Sequence, residues 1–134
     1  MKLFRTLLIT GACLLLSTGL LPAQGVPKHY LSTVSTNATL VYGARANVSA
    51  IMGFNTNATV YFLKIYDKAT APTCGTDTPV LTVPLPQNTG NGVQLGQGLQ
   101  FANGVGFCIT GAIADNDTSN AATGIAVDFG VSGR

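Results

Sequence analysis

Residues 125–131 run Ile-Ala-Val-Asp-Phe-Gly-Val, with an apolar residue at every odd position and a small or acidic one between. Successive side chains of a β-strand point to opposite faces, so this alternation predicts a strand with one buried and one exposed face. The same reasoning predicts a strand over 105–113, whose buried face would hold the apolar residues at odd positions: Val105, Phe107, Ile109 and Ile113.

The pair Asn103-Gly104 stands immediately before that strand, between Phe101 and Val105. Asn-Gly is the preferred sequence for a two-residue hairpin turn, because both central residues of that turn need positive φ. We therefore expect a strand over 98–102 to pair with the strand over 105–113 through a tight hairpin.

Four earlier strands are predicted between turn residues, over 39–43, 47–54, 59–66 and 79–85. Residues 59–66 are apolar on both faces, as in a central strand. Residues 79–85 contain two prolines, which cannot donate ladder hydrogen bonds, so this strand is expected at an edge. Within 47–54, one buried face would hold four residues at even positions: Val48, Ala50, Met52 and Phe54.

The mature chain shows no apolar residues at helical spacing, and the whole sequence lacks Glu, the commonest acid on helix surfaces. Thr, Val, Gly and Asn are plentiful, and this composition favours strands and turns. Seven short strands at this spacing predict an all-β fold: a single two-sheet antiparallel β-sandwich or jelly-roll-like domain.

The N-terminus has the three-part layout of a secretory signal. A basic start over 1–5 precedes an uncharged apolar run over 6–21, and Leu21-Pro22-Ala23 ends in a small residue suited to cleavage before Gln24. A membrane anchor is the alternative, but a bilayer span needs about 20 apolar residues, and this run is shorter and interrupted. We expect a cleaved signal peptide over 1–23 and a protein secreted to the extracellular space, cell surface or periplasm, with no membrane span afterwards.

Cleavage would leave an N-terminal arm over 24–38 and a β-sandwich domain over 39–134. The arm lies outside the core pattern, so it is expected to be flexible or to donate a strand to the sheet edge of a neighbouring subunit.

Cleavage would also remove Lys2 and Arg5, which account for the formal net charge of +2. The mature chain holds five basic residues and five aspartates, so its formal charge is zero. Scattered cations do not form a patch that tracks phosphates, so no nucleic-acid binding is expected. A neutral surface lacks the repulsion that keeps domains apart, which favours self-association.

Two cysteines, Cys74 and Cys108, remain after the leader with Cys13 is removed. An even number of cysteines outside the cytoplasm favours a disulfide. Because Cys108 alternates with Phe107 and Ile109, it points away from their buried face, and the loop over 67–78 would have to fold across that side. The alternative is a buried thiol at Cys108 and an exposed one at Cys74.

Aspartates are the other candidate site residues. Asp67 and Asp77 lie at the ends of the loop over 67–78, where we expect them to cap backbone N–H groups, with ligand contact as the alternative. Asp115, Asp117 and Ser119 place oxygens at alternate positions, as calcium loops do. The turn glycine and the later Glu of such a loop are missing, so a polar hairpin loop is expected instead.

No catalytic residue, metal site or cofactor is predicted. A zinc site needs three or four ligands, and a catalytic thiol needs a histidine partner. The sequence offers a single histidine, His29, and it lies in the arm. We therefore expect that the protein is not an enzyme.

Two segments, YFLKIYDKATAPT over 61–73 and GTDTPVLTVPLP over 75–86, are distinctive. With GLQFANG over 98–104 and ADNDT over 114–118, they resemble a family of small β-sandwich proteins found mostly in phage and prophage genomes, whose members are often uncharacterised or grouped with virion structural proteins. The resemblance covers roughly residues 40–131. It is specific for the fold but weak for a function, because the family brings no catalytic residues. The secretory leader and the two cysteines depart from the family pattern, which suggests a module redeployed outside the cell.

These observations predict a non-enzymatic exported structural protein that self-associates as a subunit of an extracellular, cell-surface or virion-like assembly. The alternative is a monomeric secreted binding module for glycans or surfaces. Such a module would use aromatic residues on an exposed sheet face, for example Tyr42, Tyr61 or Tyr66.

Overall fold

The computed structural model describes residues 25–134, and the predicted signal peptide over 1–23 lies outside the described residues. The described chain forms eight strands: β1 (Val26–Leu31), β2 (Thr39–Tyr42), β3 (Ala46–Asn55), β4 (Tyr61–Asp67), β5 (Leu81–Leu85), β6 (Thr89–Phe101), β7 (Val105–Thr110) and β8 (Ile125–Gly133). The all-β fold expected from the alternation is confirmed.

Strands from the two halves of the chain pair with each other. All pairs are antiparallel: β1 with β8, β2 with β7, β3 with β6 and β4 with β5. The chain is thus one long hairpin that has been rolled up. Further pairs between β3 and β8 and between β4 and β7 complete a first sheet, β1-β8-β3-β6, and a second sheet, β2-β7-β4-β5. An eight-stranded double sheet with this strand order is a jelly roll.

The two sheets enclose one hydrophobic core. As predicted, the odd positions over 125–131 of β8 point inward, and each is at most 2% exposed: Ile125, Val127, Phe129 and Val131. From the opposite sheet, the ring of Phe107 lies 5.5 Å from that of Phe129 and 5.2 Å from that of Tyr30 on β1. Aromatic pairs at these distances add to the free energy of area burial, so they join the sheets at the centre of the core.

Strand positions within the second sheet agree with the sequence. β4 lies between β7 and β5, and β5 lies at the edge. The central position predicted for 59–66 and the edge position predicted for 79–85 are therefore confirmed.

β3 departs from the predicted face. A β-bulge at Ser49 interrupts its pairing with β8 between Val48 and Ala50. The inserted residue reverses the alternation, so Val48 is fully buried while Met52 and Phe54 are 55% and 52% exposed. The prediction that these residues share a buried face is wrong, because a period of two cannot anticipate an extra residue in the strand.

The predicted Asn103-Gly104 hairpin is also wrong. β6 belongs to the first sheet and β7 to the second, so this turn crosses between sheets. Neither residue adopts positive φ. The following strand ends at Thr110, and Ile113, predicted to be buried, is 66% exposed.

The segment expected to be an arm contributes β1. Residues 26–31 pair with β8 of the same chain over six residue pairs and form an edge of the first sheet. Beyond β1, Ser35 makes an isolated bridge to Ala121. The sandwich thus includes residues ahead of position 39.

Candidate functional site

The predicted disulfide between Cys74 and Cys108 is present, with the two Cα atoms 6.1 Å apart. Cys108 points to the outer side of the second sheet, and the loop that follows β4 folds across that side. Pro72 of this loop packs on β7, since a Cβ at Gly106 would lie 2.8 Å from Pro72 Cδ. The bond therefore fastens the loop to the sheet, and a disulfide is compatible with an extracellular location.

A second loop, 111–120, joins the first in covering the outer side of the second sheet, termed here the covered face. Lys64 on β4 points to this side, is fully buried, and donates a hydrogen bond from Nζ to the carbonyl of Ala114. All six residues of β7 are buried. The central strands of the second sheet, β4 and β7, are consequently shielded on both sides.

The tyrosines proposed as a glycan-binding platform do not form one. Tyr66 lies on the covered face and is fully buried beneath its loops. Burial raises the pKa of Tyr66, and the nearby carboxylates of Asp115 and Asp77 raise it further. Tyr42 and Tyr61 are half-buried and pack against the core.

Asp67 caps the turn between β6 and β7. Its carboxylate accepts hydrogen bonds from the backbone N–H groups of Ala102, Asn103 and Gly104. Partial burial acts to raise the pKa of Asp67, but these bonds, that from Asn103 foremost, outweigh it and hold the pKa below its ordinary value. Asp67 thus accepts hydrogen bonds from backbone N–H groups that would have strand partners if β6 and β7 formed a hairpin.

Asp77 performs the same task within its own loop. It accepts hydrogen bonds from Lys68 Nζ at 2.6 Å and from the backbone N–H of Thr73 at 2.7 Å. The hydrogen bond from Lys68, followed by that from Thr73, lowers the pKa of Asp77.

Asp117 organises the second covering loop. Its carboxylate accepts hydrogen bonds from Ser119 Oγ and from the backbone N–H groups of Ala112 and Ser119. Burial acts to raise the pKa of Asp117, but the hydrogen bonds, led by that from Ser119 Oγ, lower it to about 2. Asp115, its neighbour in the predicted alternation, is exposed.

His29 lies on β1 beside β8, where its Nδ1 is hydrogen-bonded to Asp128 Oδ1 at 2.6 Å. Across residues 25–134, no three His, Cys, Asp or Glu side chains lie close enough together to hold a metal ion. The same part of the chain has no helix long and apolar enough to cross a bilayer.

In the described part of the chain, no loop folds across the outer side of the first sheet. We term this side the open face; it consists of the outward residues of β1, β8, β3 and β6. Met52 and Phe54 form a ridge along β3. Beside the ridge, β6 offers only backbone: a Cβ at Gly90 would lie 3.2 Å from the Phe54 ring, and one at Gly92 would lie 3.3 Å from Met52 Cγ.

This arrangement creates a groove of about 340 Å³, which is bordered by Asp128. Exposed apolar patches rimmed by polar groups mark interaction sites. Sequence reasoning missed this face because the bulge at Ser49 turns Met52 and Phe54 outward. The glycines opposite them, Gly90 and Gly92, were the available signal, since glycine within a strand often marks a close approach.

Comparisons of the chain with protein-family models, with curated proteins and with solved structures yield no match. The resemblance to small β-sandwich proteins of phage genomes stays a prediction.

Proposed function

We propose that the protein is an exported, non-enzymatic structural subunit that self-associates in an extracellular, cell-surface or virion-like assembly. The observation that carries the proposal is the contrast between the two outer sides of the sandwich. The covered face has two loops and a disulfide over it, whereas the open face presents Met52 and Phe54 to solvent at 55% and 52% exposure. Large exposed apolar side chains grouped on one face are typical of an interface.

Charge and compartment support the same proposal. With the leader removed, the formal charges of the chain cancel, so copies would approach without strong repulsion. The disulfide stabilises the fold in an oxidising environment, which suits a protein that works outside the cytoplasm.

Expression of the full chain in an exporting host tests the proposal. The intact mass of the recovered protein should correspond to loss of residues 1–23, and sedimentation velocity over a concentration series should show species larger than a monomer. Electron microscopy would then distinguish a closed oligomer from a filament or lattice. A protein retained in the cytoplasm, or one that stays monomeric at every concentration, would overturn the proposal.

A glycan-binding module is the second candidate, favoured by the groove rather than by the tyrosines. The exposed ring of Phe54 could stack on the apolar face of a sugar, while the carboxylate of Asp128 at the border of the groove accepts hydroxyl hydrogen bonds. Binding of a monomeric protein to a glycan array, abolished by Phe54→Ala but unchanged by Val80→Ala elsewhere on the surface, would favour this candidate.

A further inference from the structure

We propose that two copies stack open face to open face about a two-fold axis that runs along the strands between β8 and β3. Each Phe54 ring then packs on Ala126 of the second copy, and each Leu31 packs on Gly90 and on the neighbouring edge of the Phe54 ring of the second copy. The inference rests on the self-association proposed above and names the surface and the partner that produce it.

A row of side chains across the open face carries the inference. The strand registers align Leu31 with Ala126, Ala126 with Phe54, and Phe54 with Gly90. Paired residues of antiparallel strands share a face, so the row alternates from β1 to β6 between large and small residues. Leu31 and Phe54 are 70% and 52% exposed.

This alternation is self-complementary. A two-fold axis between β8 and β3 places β1 over β6 and β8 over β3 of the second copy. The row of one copy therefore faces the same row of the second copy in the opposite order. Each large residue then opposes a small one, as an isologous interface requires. The neighbouring row of His29, Asp128, Met52 and Gly92 places Met52 opposite Asp128 and His29 opposite Gly92.

The size of the face is adequate for a specific contact. β3 and β8 share nine residue pairs. With about 3.3 Å per residue and about 4.8 Å between strands, a four-stranded face measures about 30 Å by 19 Å. Two such faces would bury about 1,100 Å² in all, which exceeds the roughly 1,000 Å² expected of a biological interface and is typical of a weak, reversible contact.

The charges on the face cause no repulsion, although each Asp128, half-exposed in the single chain, would be covered by Met52 of the second copy and lose part of its hydration. On these outward strand positions of the described chain, the titratable groups are His29 and Asp128, which are hydrogen-bonded to each other. Stacking therefore brings no unpaired like charges together.

Exchanging the large residue at position 54 with the small residue at position 126 tests the proposed geometry of the dimer. In Phe54→Ala, an alanine faces Ala126 of the second copy and leaves a gap, whereas in Ala126→Phe two phenylalanines face each other and clash. Each single variant of the exported protein should therefore weaken the dimer at least about tenfold in sedimentation equilibrium. The double variant restores a large residue opposite a small one and should recover most of the affinity. Val80→Lys and Ile113→Lys, at exposed apolar positions outside the open face, serve as controls and should dimerise like the wild type.

The outcomes separate this inference from the proposed function. Wild-type protein that assembles, with both single variants assembling equally well, would overturn the face-to-face contact and leave the structural role standing. Single variants that dissociate without recovery in the double variant would overturn the two-fold register. A monomeric wild type would overturn both proposals. Near-UV circular dichroism of each variant establishes that loss of assembly is not loss of fold.

Discussion

The carboxylate of Asp67, at the end of β4, accepts a hydrogen bond of 2.8 Å from the backbone N–H of Asn103, 36 residues further along the chain. The neighbouring N–H groups of Ala102 and Gly104 donate to the same carboxylate. A side chain from the second sheet thereby fixes the turn by which the chain leaves the first sheet.

Replacement of this carboxylate should loosen the turn. In Asp67→Asn, one oxygen becomes an amide that donates rather than accepts, and the remaining bonds lose their charge. We expect a loss of about 1–2 kcal/mol in the free energy of unfolding, measured by urea denaturation. Asp115→Asn, at an exposed position in another loop, should leave the stability unchanged. Equal effects of the two substitutions would show that the capping bonds contribute nothing.

The disulfide should be a major source of stability. Cys74 and Cys108 are 34 residues apart in sequence, and closure of such a loop is worth about 3–4 kcal/mol in the chain-entropy model. A reductant should lower the urea midpoint of the wild type and have no effect on the double variant Cys74→Ala, Cys108→Ala. A wild-type midpoint that does not respond to complete reduction would contradict this expectation.

Acid should weaken the loop held by Asp117. The pKa of this group is about 2 in the folded protein against an ordinary value of 3.8. Because the folded pKa is depressed, the contribution to stability is present above about pH 4 and is lost as the pH falls towards 2. The stability difference between wild type and Asp117→Asn, from urea denaturation at several pH values, should shrink over that window. A difference that is constant from pH 6 to pH 2 would rule out the linkage.

Two glycines should respond differently to alanine. A Cβ at Gly104 would collide with the backbone carbonyl oxygens of Lys68 and Tyr42, whereas one at Gly96 would meet nothing within 4 Å. Overpacking against backbone costs about 1–3 kcal/mol, so Gly104→Ala should lower the thermal midpoint. Gly96→Ala should stay within about 0.5 kcal/mol of the wild type. Similar midpoints for the two variants would mean that the turn adjusts without strain.

The sequence predicted the strands that are amphipathic or fully buried. Residues 125–131 alternate because β8 has the core on one side only. Residues 59–66 have apolar side chains on both faces, with Lys64 among them, because β4 is covered on both sides. β1 could not be found in this way. Its stretch contains Pro27, Lys28 and His29, and it is a strand because β8 lies beside it, which is a tertiary cause that local sequence does not contain.

The disulfide and the capping aspartates could be predicted from the sequence, whereas the open face could not. The cysteines could be paired from their number and from the expectation of export, and the capping role of Asp67 and Asp77 could be predicted from the turn residues around them. The open face depends on which residues of β3 point outward. The bulge at Ser49 decides this, and it arises from the way β3 pairs with β8, which the sequence of β3 alone does not contain. A periodicity argument therefore placed Met52 and Phe54 on the wrong side of the sheet.

The pairing of Val26 with Val131 places the beginning of β1 and the end of β8 at the same end of the first sheet. Tension applied at Gly25 and at Arg134 would load this pair first and then peel β1 away from β8 one pair at a time. The six pairs would not share the load, as they would if the strands were pulled in shear. If copies self-associate as proposed, stress carried between them would spare β1 only where it passes through contacts between folded faces rather than through residues 25 and 134.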